Sequence, residues 1–315
     1  MHKIVFLDRS TLVAKIRTPN FQHEWVEFPV TATEETRERL KDASIAICNK
    51  TLISKDVVEN LPSLQLIAIA ATGTNNVDLQ ACKVNQTSVC NIVDYAQFAV
   101  SEHVFALALN LRRNLNAYRQ DVLDGQWQNA TGFCLYNHPI QDLRGSVLGI
   151  IGHGAIGKQT ARIGEAFGMK VIIAEHKGVT HPRSGRTAFE EVIRHSDILS
   201  IHCPLNEQTT GLISKDELAQ MKSTAILINT ARGGIVDENA LFLGLQEGMI
   251  AGAGFDVLSE EPPVNGHPLL KLNQNNFIMT PHVGWASTQA MQALADQLID
   301  NIEAFVAGHP QNLVD

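Results

Sequence analysis

Cysteine and long apolar runs are scarce in this sequence, and each scarcity excludes a class of protein. The cysteines number five, and none forms a CxxC pair or a Cys/His cluster with the spacing of zinc ligands. We therefore predict reduced thiols and no metal site. No run approaches the roughly 20 apolar residues that a membrane span requires. Residues 1–8 become polar too soon for a signal peptide, which predicts a cytoplasmic protein without a membrane partner.

Positive charge is also in short supply. The chain has 25 Lys and Arg residues against 33 Asp and Glu residues, a net charge of −8, which argues against a nucleic-acid surface. Internal repeats and low-complexity segments are absent from the sequence. Its 315 residues, 44% of them hydrophobic and 18% charged, are enough for a large core and predict two domains.

One stretch combines an apolar run, a glycine-rich turn and a helical pattern. The run at residues 147–151 leads into Gly152, Gly154 and Gly157 in the spacing GxGxxG, and residues 158–167 are compatible with a helix. The first glycine permits the turn out of the strand, the second lets backbone approach a pyrophosphate, and the third lets helix and strand pack closely. The N–H groups that begin the helix face the phosphate charge. We predict a dinucleotide site here.

An acidic residue follows at the position where such sites contact the ribose. A second apolar run, residues 170–174, ends at Glu175, 23 residues after Gly152, where a carboxylate can accept hydrogen bonds from the ribose diol. This acid favours NAD as the cofactor. His176 and Lys177 come next, and because a nearby cation accommodates the 2′-phosphate of NADP, that cofactor stays the less favoured alternative.

The N-terminal hundred residues predict a small α/β unit. Strands are predicted at residues 4–8, 44–48, 64–70 and 88–92, with a charged helix at 33–42. The 64–70 strand runs into a polar loop containing Thr72 and Gly73, whose backbone N–H groups could hold a carboxylate. An ordinary turn would explain that loop equally well.

Two long helices are predicted to mark the domain boundary. One covers residues 95–119, with Ser101 near its start resembling an N-terminal cap, and the other covers residues 286–307. Residues 124–143 show no period and are predicted as a loop or arm that packs on a partner subunit or on the core. We predict a discontinuous smaller domain of residues 1–98 and 288–315, and a dinucleotide-binding domain of residues 99–287.

The dinucleotide-binding domain continues as alternating strands and helices. Strands are predicted at 197–202, 225–229, 252–257 and 277–280, and helices at 189–195, 216–221 and 237–246. This alternation predicts a parallel, doubly wound α/β sheet. Right-handed crossovers bring the loops after successive strands to one edge, so the active site is expected there.

Three of these loops each carry one distinctive ionisable residue: Arg232, Glu261 and His282. Taken singly, a loop arginine, a Glu-Pro turn and a Pro-His pair all have structural explanations. Together with a nicotinamide site, they are what hydride transfer to a 2-keto acid requires. Histidine protonates the carbonyl oxygen, the carboxylate stabilises the imidazolium, and arginine supplies a forked donor for the substrate carboxylate.

The motifs in order resemble the NAD-dependent D-isomer-specific 2-hydroxyacid dehydrogenases, most closely their glycerate dehydrogenase (hydroxypyruvate reductase) branch. They are residues 72–78 (TGTNNVD), 101–103 (SEH), 152–157 (GHGAIG), 202–205 (HCPL), 229–234 (NTARGG), 256–262 (DVLSEEP) and 281–282 (PH). The resemblance covers the whole chain. It implies a Rossmann cofactor domain, a discontinuous flavodoxin-like substrate domain and a homodimer formed through the cofactor domains.

The resemblance also implies roles for individual residues. Arg232 is expected to orient the substrate, Glu261 to pair with the catalytic histidine, and His282 to act as general acid and base. Asp256 resembles the carboxylate that holds the nicotinamide amide. The remaining cofactor positions are Thr72, Gly152, Gly154, Ala155, Ile156, Gly157, Glu175, Cys203, Thr230, Ala231, Arg232, His282 and Gly284. The substrate positions are Thr72, Gly73, Arg232, His282 and Trp285.

Hydroxypyruvate, reduced reversibly to D-glycerate, is the substrate that the resemblance favours. Relatives that reduce hydroxypyruvate or glyoxylate carry a tryptophan at the position of Trp285, where its bulk limits substrate size. Glyoxylate or another small 2-keto acid remains an alternative. A second alternative is non-catalytic, because this fold also serves in corepressors that bind a dinucleotide and recruit protein partners.

Overall fold

The computed structural model describes residues 1–272 and 275–314, and the chain divides into two compact units. One consists of Met1–Tyr95 and Ala286–Asp315, and the other of Ala96–Trp285. We call them the N-terminal unit and the nucleotide unit. The boundaries expected from the sequence lie two or three residues from these, and residue 315, where the smaller predicted domain ends, is outside the described residues.

Short strands form the frame of each unit. In chain order they are β1 His2–Phe6, β2 His23–Glu27, β3 Ile45–Cys48, β4 Leu66–Ile69, β5 Ser88–Cys90, β6 Val147–Ile151, β7 Lys170–Ile173, β8 Ile198–Ile201, β9 Ile226–Asn229, β10 Gly252–Phe255 and β11 Phe277–Met279.

Helices connect most of these strands. They are α1 Thr36–Leu40, α2 Lys55–Glu59, α3 Leu79–Val84, α4 Gln97–Arg113, α5 Leu115–Leu123, α6 Ala155–Ala166, α7 Phe189–His195, α8 Lys215–Gln220, α9 Glu238–Gln246 and α10 Thr288–Val306. Within the described ranges, none of them has the length and apolar character needed to cross a membrane.

The N-terminal unit is built on a parallel five-stranded sheet in the order β2-β1-β3-β4-β5. This 2-1-3-4-5 order is that of flavodoxin-like sheets, so the predicted fold of the smaller domain is confirmed. The edge strand β2 was not predicted. Its sequence, HEWVE, is charged and only partly buried, so it lacks the apolar pattern by which the inner strands were recognised.

The nucleotide unit contains a parallel six-stranded sheet in the order β11-β10-β9-β8-β6-β7. The chain leaves β6 toward β7 on one side and later returns to β8 on the other, so the order reverses beside β6. Ligands of open α/β sheets bind at such a point, outside the carboxyl ends of the strands. Strands β8 and β9 are wholly buried, as expected for a sheet covered on both faces.

Two local predictions for residues 95–119 were wrong. The single helix predicted at residues 95–119 is divided at Asn114, which adopts a left-handed conformation (φ 50°) and ends α4. Asparagine tolerates this conformation better than most residues, which explains the break. Ser101 is no N-terminal cap. It lies buried inside α4, and its hydroxyl donates to the carbonyl of Phe98.

Candidate active site

The glycine turn after β6 packs directly against the end of β8. Gly152 has φ +90°, and a Cβ built there would lie 2.5 Å from the backbone nitrogen of Cys203. A Cβ on Gly157 would lie 2.1 Å from the carbonyl oxygen of Gly152. Neither position therefore accepts a side chain, and the tight turn and close helix packing inferred from the spacing are both present.

Gly154 differs from its two neighbours because the space beside it is open. It precedes α6, and a Cβ built on it would meet nothing within 4 Å in residues 1–272 and 275–314. The first backbone N–H groups of α6, beginning at Ala155 and Ile156, have no acceptor within the helix. Open space beside unpaired donors at the positive end of a helix suits a pyrophosphate.

Two further predicted cofactor positions have properties that bear on ligand binding. The hydroxyl of Thr230 is buried and has no hydrogen-bond partner among the described residues, as expected of a group that awaits a ligand. Burial raises the pKa of the Cys203 thiol to about 11, so the thiol is protonated near neutral pH. This supports a packing role for Cys203 and not a nucleophilic one.

Glu175 lies two residues after β7, near the end of the strand as expected, but its carboxylate is already engaged. Arg183 donates to it through Nε at 2.7 Å and through Nη2 at 2.5 Å. These bonds, with those from the backbone of His176 and Arg183, hold the pKa of Glu175 far below its usual value. The sequence alone did not indicate this partner, because Arg183 comes from an irregular loop.

His282 and Glu261, which the sequence predicted to act as a pair, are in hydrogen-bond contact. His282 Nδ1 lies 2.6 Å from Glu261 Oε2, and the other oxygen of Glu261 accepts the backbone N–H of Leu258 at 2.8 Å. An ionised carboxylate only accepts, so Nδ1 of His282 carries the proton. Nε2 is therefore the ring atom left to exchange a proton with a substrate.

The turn that carries His282 is held by Asp256. His282 has φ 56°, a left-handed conformation that is uncommon outside glycine and asparagine. The buried Asp256 carboxylate accepts the backbone N–H groups of Val283 (2.9 Å) and Gly284 (2.7 Å). It also accepts the hydroxyl of Thr280 at 2.5 Å. Asp256 thus positions the turn that carries His282.

His103 supports Asp256 from helix α4. Its Nε2 lies 2.9 Å from the Thr280 hydroxyl and 3.6 Å from Asp256 Oδ1. The single proton of Thr280 goes to Asp256, so His103 is the donor to Thr280. The sequence motif at residues 101–103 includes His103 but gives no sign of this role, because the partner lies 177 residues away.

Arg232 lies on an exposed turn after β9 that Asn229 shapes. The Asn229 side chain accepts the N–H of Ala231 at 3.0 Å and donates to the carbonyl of Arg232 at 2.9 Å. The following residue, Gly233, touches the loop that carries Glu261. A Cβ built on Gly233 would lie 1.9 Å from the carbonyl carbon of Leu258. The arginine loop and the glutamate loop are therefore in backbone contact.

A second carboxylate fastens the glutamate loop to helix α9. Glu238 accepts the backbone N–H of Ser259 at 2.8 Å and its hydroxyl at 2.6 Å. His267 Nε2 lies 2.9 Å from the same carboxylate. Sequence analysis missed Glu238, since an acid in the first turn of a helix is common and gives no functional signal.

The remaining predicted positions are divided between the units. Trp285 donates its indole N–H to the carbonyl of His282 at 3.1 Å, which places it beside the turn that carries His282. Thr72 and Gly73 belong to the N-terminal unit, on the loop after β4, where the Thr72 hydroxyl donates to the carbonyl of Ile92. In the described part of the chain, no three His, Cys, Asp or Glu side chains form a group that could hold a metal ion.

Comparison with known proteins agrees with this geometry. Residues 105–284 match the model of the D-isomer specific 2-hydroxyacid dehydrogenase NAD-binding domain. The chain is 49% identical to a glycerate dehydrogenase of Methylorubrum extorquens over 99% of both chains. It is 34% identical to a hydroxypyruvate reductase of Blautia hydrogenotrophica over 91% of this chain and 89% of that protein.

Solved structures share the fold over the full length. An acyclic imino acid reductase in complex with NADPH and D-Arg has a TM-score of 0.85 at 30% identity, covering 99% of this chain and 100% of that one. A D-lactate dehydrogenase of Aquifex aeolicus complexed with NAD and lactic acid has a TM-score of 0.81 at 25% identity, covering 99% and 98%. The resemblance inferred from the motifs is thereby confirmed.

Proposed function

The chain belongs to the D-isomer-specific 2-hydroxyacid dehydrogenases, and from this premise we propose that it reduces hydroxypyruvate to D-glycerate with NADH, reversibly. The observation that carries the proposal is the His282–Glu261 pair, at 2.6 Å, on loops that follow neighbouring strands β10 and β11. The choice of hydroxypyruvate is supported by 49% identity to a glycerate dehydrogenase along the whole chain.

The residues of the nucleotide unit suit the cofactor. The turn from Gly152 to Gly157 and the start of α6 would hold the pyrophosphate. Thr230 would offer its hydroxyl, which has no partner in the part of the chain that the structure describes. Asp256 accepts three hydrogen bonds from the protein, so about one acceptor position of its carboxylate is left for the nicotinamide amide. The bound nicotinamide supplies the hydride that C2 of the keto acid receives.

In the direction of reduction, His282 acts as the general acid. Its imidazolium gives the Nε2 proton to the carbonyl oxygen of the substrate, on which negative charge develops as hydride reaches C2. The Glu261 carboxylate on Nδ1 stabilises the imidazolium before transfer and fixes the ring afterwards. In oxidation, neutral His282 accepts the hydroxyl proton at the same nitrogen. Arg232 orients the substrate through its carboxylate and carbonyl group.

The test is the initial rate of NADH oxidation by the purified protein with hydroxypyruvate, glyoxylate and pyruvate in parallel. The proposal predicts the highest kcat/KM for hydroxypyruvate. A preference for glyoxylate or pyruvate would keep the mechanism and overturn the substrate. No turnover with any of the three, in a protein that binds NADH, would favour the corepressor-like alternative.

We also propose a homodimer formed through the nucleotide unit. Its segment 124–143 exposes large aromatic side chains: Trp127 is 53% exposed, Tyr136 84% and Phe133 91%. Apolar groups gathered on one segment are typical of an interface that a partner covers. Light scattering after size-exclusion chromatography tests this, with Phe133→Ser expected to shift the mass toward the monomer. A monomeric wild-type protein would overturn the proposal.

A cytoplasmic location is part of the same proposal. The cysteines at 48, 82, 90, 134 and 203 are all free thiols, as is usual in a reducing compartment. Cell fractionation with an antibody against the chain tests it, and recovery in the membrane or secreted fraction would contradict it.

A further inference from the structure

The carboxylate of Glu175 is saturated with hydrogen bonds. Oε1 accepts the backbone N–H of His176 at 2.9 Å and Nη2 of Arg183 at 2.5 Å. Oε2 accepts the backbone N–H of Arg183 at 3.1 Å and its Nε at 2.7 Å. A carboxylate has about four acceptor positions, so none is left for a ribose hydroxyl while this ion pair is closed.

The two partners differ in what they present to a ligand. The side chain of Glu175 is 1% exposed, whereas that of Arg183 is 64% exposed. Only Nε and Nη2 of Arg183 are used on the carboxylate, which leaves the other guanidinium donors available. A ribose at the end of β7 therefore contacts the guanidinium of Arg183, whose charge is neutralised by Glu175. It does not contact a carboxylate with free acceptor positions.

Other cations border the same corner of the nucleotide unit. Burial, and then the charges of Arg186 and Lys158, lower the pKa of His153 in the glycine turn. The N–H of Arg186 donates to the carbonyl of Arg183, so the two arginines share one turn. The loop with Arg183 and Arg186 thus lies near His153, in the glycine turn proposed to hold the pyrophosphate.

We propose that Arg183, by closing the ion pair with Glu175, makes the ribose site accept NADPH as well as NADH. An open glutamate would repel a 2′-phosphate, since two like charges would meet at hydrogen-bond distance. The Arg183–Glu175 ion pair removes this repulsion, and the remaining N–H groups of its guanidinium can donate to phosphate oxygens. The inference rests on the proposed cofactor site and is independent of which keto acid is reduced.

The test is the dissociation constant of NADH and of NADPH, each measured by fluorescence titration without substrate. For the wild type, the two constants should agree within about tenfold. Arg183→Ala removes the guanidinium that neutralises the Glu175 carboxylate. The ratio of the NADPH dissociation constant to the NADH dissociation constant should therefore rise about tenfold or more. Glu175→Gln leaves the guanidinium unbalanced, so the ratio should fall below the wild-type value.

The ratio is expected to rise in one variant and fall in the other, which distinguishes a change in selectivity from disorder of the loop. A disordered loop would weaken the binding of both cofactors in both variants. Arg194→Ala is a control, because Arg194 also pairs with a glutamate, Glu191, but on the exposed face of α7. It should change neither constant. Thermal melting confirms that each variant is folded.

Three results would overturn the inference. They are an unchanged ratio in Arg183→Ala, a ratio that moves in the same direction in both variants, and a wild type that binds NADH more than about tenfold tighter than NADPH. Failure of the proposed function is distinguishable from these. A protein that binds both cofactors but does not turn over hydroxypyruvate refutes the substrate proposal alone, whereas one that binds neither refutes both.

Discussion

Gly233→Ala should inactivate the enzyme without unfolding it. Gly233 follows Arg232, and its Cα faces the backbone of Leu258 and Ser259, on the loop that carries Glu261. A Cβ on Gly233 would lie 1.9 Å from the carbonyl carbon of Leu258 and 2.0 Å from its oxygen. Both contacts are to backbone, so no side chain can rotate away, and the loops that carry Arg232 and Glu261 must separate.

The size of the effect follows from the overlap. Non-bonded carbon atoms rest about 3.5–4.0 Å apart, so the loops must move by roughly 1.5–2 Å. A displacement of about 1 Å in a catalytic group can lower turnover about 10²-fold. We therefore expect kcat to fall at least about 10²-fold, while the overpacking costs about 1–3 kcal/mol of folding free energy.

The assay is the loss of NADH absorbance with hydroxypyruvate, beside thermal melting and NADH titration of the same protein. Gly244→Ala is the matched control. Gly244 lies inside α9, and its Cβ would come no closer than 3.4 Å to Leu218 Cδ1. Alanine in a helix interior is favoured over glycine by about 0.5–1 kcal/mol, so this variant should be active and no less stable.

Wild-type kcat in a folded Gly233→Ala protein would refute the reasoning. It would mean that the loops of Arg232 and Glu261 are not held by this backbone contact, or that their spacing does not control turnover. Loss of activity in Gly244→Ala as well would point to a general sensitivity of the nucleotide unit, and the interpretation would fail on that result too.

Three further predictions follow from single side chains. His282→Gln should lower kcat by about 10²–10⁴-fold with the NADH dissociation constant retained, and wild-type turnover would exclude His282 as the acid. Desolvation lowers the pKa of His202 to about 3. The unfolded chain therefore takes up this proton first, and stability falls as pH drops below about 6.5. From about pH 7.5 to about pH 5, urea denaturation should show about 2 kcal/mol less stability, a loss that His202→Gln should lack. Glu238→Ala leaves the N–H and hydroxyl of Ser259 without their acceptor and should cost about 1–3 kcal/mol in the same assay, whereas unchanged stability would show that Glu238 does not hold the loop.

Local sequence patterns carried most of the fold prediction. The apolar runs at β6, β8 and β9 predicted buried parallel strands, which the structure contains. The glycine spacing after β6 predicted a tight turn, and the structure shows it, including the close contact between Gly157 and Gly152. Edge strand β2 was not predicted, because a half-exposed strand needs no apolar run. The break between α4 and α5 at Asn114 was not predicted, because one left-handed residue leaves the helical pattern around it intact.

The chain by itself determined which residues could do chemistry and which strands they follow. Arg232, Glu261 and His282 were predicted because each comes after a strand of a parallel sheet, whose carboxyl ends share one edge. Only the tertiary structure decided what holds these residues in place. His103 reaches Thr280 across 177 positions, Glu238 fastens Ser259, and Arg183 closes over Glu175 from an irregular loop. These partners are close in space but not in sequence, and the periodicity of strands and helices carries no information about such distances. The sequence therefore shows which groups are charged, but not which of them form ion pairs or hydrogen bonds with each other.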